Sequence, residues 1–125
     1  MRIPRPCRLR DWRRRPAAQA GHAQALDALR AALRTVVRLA NNVEMVDWPG
    51  AAPQADPTGH GYRLRGALAN AESELARSLA QAMARDLSVS SLEHDVIAPL
   101  LHSETILTNT ARVSVGKAVL AARSR

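Results

Sequence analysis

The stretch "LDALRAALRTVVRLANNV", residues 26–43, decides the fold. Its apolar residues recur in alternating steps of three and four, which places them on one side of an α-helix. Basic residues follow on the neighbouring side. A line this narrow and regular is typical of a helix that packs lengthwise on another helix. We call it the N-terminal seam; it consists of Leu26, Leu29, Leu33, Val36, Ala40 and Val43.

The sequence does not determine which helix packs against the N-terminal seam. The seam is compatible with one helix of an intramolecular bundle, and equally with a coiled-coil helix in an assembly of chains. In either case the helix is predicted to run from residue 17 to about residue 46. The Pro- and Gly-rich residues 47–61 then form a connection.

The remainder of the chain also predicts helices. One spans about residues 63–87, and a capping box formed by Ser90 and Glu93 predicts the start of another. Residues 91–122 contain Pro99 and form either one kinked helix or two helices joined near His102 and Ser103; we favour the kinked helix. The predicted fold is therefore all-α, with three to four helices and with the long N- and C-terminal helices pairing as a bundle or coiled coil.

The basic charge is concentrated at the start of the chain. Residues 1–16 contain seven arginines and one acidic residue, Asp11, so they hold +6 of the formal net charge of +7. This segment is also Pro-rich and lacks apolar periodicity, which predicts a disordered arm before a single α-helical domain at 17–125. The arm is a possible nucleic-acid contact, an acidic-membrane contact, a targeting segment or a solvated tail. The candidate nucleic-acid contacts are Arg8, Arg10, Arg13, Arg14 and Arg15.

The sequence lacks the residue patterns of a catalytic or cofactor site. It has neither a phosphate-binding Gly-rich loop nor a nucleophile elbow, and the histidines are too widely spaced to share a metal ion. His94 and Asp95 are adjacent on a helix, and adjacent side chains point in different directions. We therefore predict no enzymatic activity, no catalytic residue, no cofactor and no metal. Charged residues interrupt every long apolar run, so no transmembrane segment is predicted either.

Two segments resemble a known family. The first contains Leu39-Ala40-Asn41-Asn42-Val43 and then Asp47, Pro49 and Gly50. It resembles the N-terminal signature of the bacterial flagellar axial proteins, in particular the short proximal-rod proteins. The second contains Asp95-Val96-Ile97, Leu100, Ser103, Ile106 and Asn109, and it resembles the C-terminal helix pattern of the same family. Pro99 interrupts a helix that this family keeps continuous.

The resemblance implies a function. We expect a non-catalytic structural subunit that assembles through its terminal helices, most concretely in the flagellar basal-body rod. Its partners would be copies of itself or related helical axial proteins, and it would be exported without a cleaved signal. Without the resemblance, a cytoplasmic location is expected. The alternative function is a small helical binding module whose Arg-rich arm contacts nucleic acid or an acidic partner.

Overall fold

The computed structural model describes residues 16–46 and 59–124, with side chains described from residue 21 onward. These residues form helices and turns without any strand, which confirms the predicted all-α fold. Residues 89–103 form one continuous helical segment, since a π-helical turn joins its two α-helical parts without a break. The elements are α1 (Pro16–Val46), α2 (His60–Met83), α3 (Val89–Leu92), the π-helical turn (Glu93–Ile97), α4 (Ala98–Ser103) and α5 (Asn109–Arg123).

The three longest helices, α1, α2 and α5, contact one another and form the core. At one end of the bundle the His22 ring lies 3.1 Å from the backbone oxygen of Arg85, so the start of α1 meets the end of α2. At the other end Asn41 contacts Thr108, so the end of α1 meets the start of α5. Both α2 and α5 therefore run antiparallel to α1 and parallel to each other.

The N-terminal seam lies inside this bundle. Leu29, Leu33, Val36 and Ala40 are fully buried, Val43 is buried, and Leu26 is partly buried against the same cluster. Because α1 contacts both α2 and α5, the predicted pairing of the terminal helices is accompanied by a more extensive pairing of α1 with α2. The apolar line of α1 is thus covered within the described chain, as expected for an intramolecular bundle.

The segment from α3 to α4 packs on the side of the core. Its π-helical turn has a local cause, because Pro99 has no N–H to donate to the carbonyl of Asp95. The Ala98 N–H bonds instead to the Glu93 carbonyl, five residues back. This widened turn keeps the segment continuous past Pro99. Its buried residues are Leu92, Val96, Ile97 and Leu100.

The kinked helix that we favoured over residues 91–122 is wrong. α4 ends at Ser103, where the next residue, Glu104, has an extended backbone with ψ 131°. α5 begins after Thr108, whose side-chain oxygen accepts from the Ala111 N–H at 3.2 Å. This N-cap starts a new helix at Asn109. Two helices joined by residues 104–108 therefore occupy the stretch.

Two other helix ends differ from the sequence prediction. Ser88, rather than Ser90, caps α3, because its hydroxyl accepts from the Ser91 N–H at 3.0 Å. α2 ends at Met83 rather than near residue 87. The backbone of Asp86 adopts a left-handed conformation with φ 67°, and the next N–H bonds back to the Ala82 carbonyl. This is a Schellman ending with Asp in place of the usual Gly, so the sequence carried no clear signal for it.

The predicted arm and most of the predicted connection lie outside the described residues. Of the arm, only Pro16 is described, and it begins α1. Of the connection at 47–61, residues 59–61 are described, and α2 begins within them at His60 rather than at 63. The predictions for 1–15 and 47–58 stay predictions.

Candidate helix-docking surface

A polar cluster fixes the start of α5 to the end of α1. The Asn41 side-chain oxygen accepts from the Thr108 N–H at 3.2 Å and from the Thr108 hydroxyl at 2.7 Å. Its side-chain nitrogen donates to the Ile106 carbonyl at 3.1 Å. One amide side chain thus satisfies three groups of the loop before α5.

Glu44, one turn further along α1, completes this cluster. Its carboxylate oxygen accepts from the Thr110 N–H at 3.1 Å and from the Thr110 hydroxyl at 2.9 Å. A carboxylate is well placed here, because the first N–H groups of a helix lack intrahelical partners and carry partial positive charge. We call Asn41, Glu44, Thr108 and Thr110 the α1–α5 clamp. Because the clamp fixes both the position and the rotation of the start of α5, it also determines which side of α5 faces solvent.

The solvent side of α5 carries an apolar line. Val113 and Leu120 are 56% and 65% exposed, and Ile106, just before the helix, is 64% exposed. Val113 and Leu120 are seven residues apart on α5, which is the heptad repeat of helices that pack lengthwise, and Ile106 stands seven residues before Val113 in the preceding loop. Between them stand exposed residues at the remaining heptad contact positions. We call the whole line the outward stripe; it consists of Ile106, Asn109, Val113, Gly116 and Leu120.

The outward stripe differs from ordinary scattered surface residues. Single exposed apolar side chains are normal on soluble proteins, whereas aligned ones mark contact surfaces. The described residues contain six large apolar side chains that are exposed, of which Val113 and Leu120 lie on one side of α5 and Ile106 lies just before it. The other three lie near the junction of α1 and α2: Met45, Val46 and Tyr62.

Two open grooves border the outward stripe. The groove toward α4, with a volume of about 650 Å³, has an apolar floor that includes Ile97, Val115 and Val119. The groove toward α2, of about 450 Å³, includes Leu68 and Ala69. Gly116 lines the first groove and Val113 lines the second. The stripe is therefore the ridge of a wider, partly apolar surface on which a helix can lie.

A cation flanks the stripe on each side. Arg112 lines the groove toward α4, and Lys117 lines the groove toward α2. Both side chains belong to exposed residues, and neither forms an ion pair with another residue of 16–46 or 59–124. Arg123, one turn after Val119, is instead paired with Glu93. The two charged residues directly beside the apolar line are thus both positive.

The structure brings together some of the residues singled out in the sequence. Asn41, from the first family-like segment, contacts the backbone of Ile106, from the second. Asn42 points to solvent beside it, and Asn109 is exposed on the outward stripe. Several other candidates lie outside the described residues: Asp47, Pro49, Gly50 and the arm residues Arg8, Arg10, Arg13, Arg14 and Arg15.

Sequence reasoning missed the clamp and the outward stripe. Glu44 lies three residues after Asn41, so their shared side of α1 was readable from helical spacing. The spacing of seven between Ile106, Val113 and Leu120 was also readable. It was hidden because Asn and Gly occupy the intermediate contact positions.

The remaining polar chemistry of the described residues is sparse. The His94 and Asp95 side chains were expected to diverge, but the ring nitrogen and the carboxylate lie 2.7 Å apart, so that expectation is wrong. Both side chains are largely exposed. Within 16–46 and 59–124 there is no group of three or more His, Cys, Asp and Glu residues that could hold a metal ion. Of the helices described, none is both long and apolar enough to cross a membrane.

Comparisons of this chain with models of protein families, with curated proteins and with solved structures found no match. The geometry of the surface itself is therefore the basis for a functional proposal.

Proposed function

We propose that this protein is a non-catalytic structural subunit that assembles lengthwise with a helical partner through the outward stripe of α5. The observation that carries the proposal is the exposure of Val113 and Leu120 at heptad spacing on one side of a terminal helix, with Ile106 exposed in the loop just before it. Partners would be copies of this chain or related helical proteins.

The helix proposed to mediate assembly is α5, whereas the sequence had suggested the N-terminal seam of α1. The N-terminal seam is covered by the chain's own α2 and α5, so using it between chains would require the core to open. The outward stripe is available without any rearrangement. Assembly through a terminal helix thus remains the proposal, with α5 in place of α1 as the contacting helix.

The flagellar basal-body rod is the most concrete setting for such a subunit. Two residues of the second family-like segment, Ile106 and Asn109, lie on the outward stripe. The clamp also joins the two family-like segments, since Asn41 holds the loop that contains Ile106. Both observations support the proposal that the segments act together, with the protein located in the basal body.

The size of the stripe indicates weak individual contacts. Fully burying one large apolar side chain contributes about 1.5–3 kcal/mol, and these three are already partly covered. Association itself costs about 4–15 kcal/mol in lost freedom. A single stripe contact is therefore expected to be weak alone, as suits a subunit held by several neighbours at once.

The test measures whether the stripe mediates association. The full chain is analysed by sedimentation velocity over a concentration series, alone and with a helical probe peptide of about five turns. The peptide has Leu at its heptad contact positions and uncharged Gln beside them, and it is used below its own self-association concentration. We expect complex formation in at least one arm, and its loss in the Val113→Ser/Leu120→Ser variant.

Ala121→Ser serves as the control, because Ala121 is exposed on α5 but outside the stripe. This variant should associate like the wild type. Absence of association in both arms, or association that survives the loss of Val113 and Leu120, would refute the proposed function.

A further inference from the structure

We propose that the occupant of the outward stripe is an amphipathic helix whose apolar line is flanked by carboxylates. This inference rests on the proposed function and specifies the chemistry of the partner. It is carried by two cations on opposite sides of the stripe, Arg112 and Lys117, which form no ion pair within residues 16–46 and 59–124.

Arg112 and Lys117 occupy the positions that contact the flanks of a docked helix. In the heptad defined by Val113, Gly116 and Leu120, these cations stand immediately outside the apolar contact positions. Side chains at such positions form the ion pairs between helices that select the partner and its orientation. A partner with Glu or Asp at the matching positions would pair with both cations.

The grooves on the two sides of the stripe also contain other charged residues. On the α2 side, Arg65 and Glu72 line the same groove as Lys117. On the α4 side, Glu104 shares a lining with Arg112, while Glu93 is already paired with Arg123. The two charged residues immediately beside the apolar contact positions of α5, Arg112 and Lys117, are both positive.

The same charges disfavour the outward stripe of a second copy as the occupant. Two parallel stripes would place Arg112 beside Lys117 of the other copy. Two antiparallel stripes would place each cation beside its own counterpart. Like charges in register disfavour pairing, and this is a common device for selecting against a wrong partner. The chain's own residues 1–16, with seven arginines, have the same unfavourable sign.

Gly116 defines how closely the partner can approach. A Cβ atom built at Gly116 would have no neighbour within 4 Å, so the space above this residue is open. The flanking Val113 and Leu120 stand on either side of it along the helix. We infer that a large apolar side chain of the partner packs over Gly116, between these two residues.

The experiment compares three probe peptides that differ only in their flanks. All have Leu at the contact positions, and the flanking residues are Glu, Gln or Lys. Binding to the full chain is measured by fluorescence anisotropy at low salt and at about 0.5 M salt. We expect the Glu peptide to bind about tenfold more tightly than the Lys peptide at low salt, and the difference to shrink at high salt.

Charge reversal supplies the decisive variant. In Arg112→Glu/Lys117→Glu the preference should reverse, so that the Lys peptide binds more tightly. The control, Arg34→Glu/Arg38→Glu, makes the same change of net charge on exposed residues of α1. It should retain the preference for the Glu peptide. Circular dichroism confirms that both variants are folded.

The outcomes separate this inference from the proposed function. Equal binding of the Glu and Lys peptides, or a preference that survives reversal at 112 and 117, overturns the inference. If that binding still requires Val113 and Leu120, the proposed function stands. Self-association through the stripe in preference to the Glu peptide likewise overturns only the inference. If no peptide binds and the chain does not self-associate, both proposals fail.

Discussion

The N-terminal seam and the outward stripe are two heptad-spaced lines with opposite outcomes. Leu33 and Val36 of the seam are fully buried, whereas Val113 and Leu120 of the stripe are more than half exposed. Both lines belong to helices of the same bundle. The seam has an apolar residue at every contact position, while the stripe has Asn109 and Gly116 between its larger residues. Dense apolar spacing produced an internal core here, and sparse spacing produced a surface.

The difference has a physical basis. Leaving a continuous apolar line exposed to water costs more free energy than leaving a sparse one exposed, so the helix that carries the continuous line occupies the centre of the bundle. α5 packs into the core through the opposite side, where Ala111, Val115 and Ala118 are buried. Heptad spacing therefore indicates that a helix has a partner, but not whether the partner belongs to the same chain.

The largest expected difference between the seam and the stripe is in the effect of truncating one leucine in each. Leu33→Ala should lower the free energy of unfolding by about 2–5 kcal/mol, because it leaves a cavity at a fully buried position. Leu120→Ala should change it by less than about 0.5 kcal/mol, since this side chain is mostly in solvent. Urea unfolding followed by circular dichroism measures both. Similar losses at the two positions would show that the lines do not differ.

Disrupting the clamp, which determines which side of α5 faces solvent, should have a smaller effect on stability. Asn41→Ala removes the hydrogen bonds to Thr108 and Ile106 and should lower the free energy of unfolding by about 1–3 kcal/mol. It should also accelerate amide hydrogen exchange in the first turn of α5. Asn42→Ala is the matched control, because this neighbouring residue is exposed, and it should be nearly neutral. If the Asn42 variant is equally destabilised, the clamp does not hold α5.

The smallest expected effect comes from two glycine substitutions, which separate helix stability from binding at the outward stripe. Gly66→Ala and Gly116→Ala both replace a helical glycine with open space above it. Each should raise the free energy of unfolding by about 1 kcal/mol, because alanine favours the helix. Thermal unfolding measures this gain. Only Gly116→Ala should weaken binding of the Glu-flanked probe peptide, since only this methyl group lies in the docking surface. Equal binding by both variants would place the partner elsewhere.

Local sequence patterns predicted the helices better than their ends. Apolar spacing identified α1 and the helical character of the later segments, because the 3.6-residue period is a property of neighbouring residues. The end of α2 at Met83, with its left-handed Asp86, and the cap at Ser88 were missed, since several polar residues could serve and packing selects among them. Pro99 was correctly identified as a disturbance, but the π-helical turn that keeps the segment continuous past it was not predicted.

The candidate surface was less predictable than the fold. Asn41 and Ile106 were singled out separately, and their contact spans 65 residues of sequence. Glu44 received no role, because nothing local indicates that its carboxylate meets the first turn of α5. A binding role for Arg112 and Lys117 could not be predicted from sequence, because it depends on the exposure of the apolar line between them.

The order of neighbouring residues was sufficient to predict that this chain is helical and that residues 26–43 have one apolar side, because helical periodicity is a local property. The tertiary structure decided where each apolar line goes. It covered the seam of α1 with α2 and α5, and it rotated α5, through the clamp, so that Val113 and Leu120 face outward. Burial is a competition among all the helices for a limited core, and its result depends on residues that are distant in sequence.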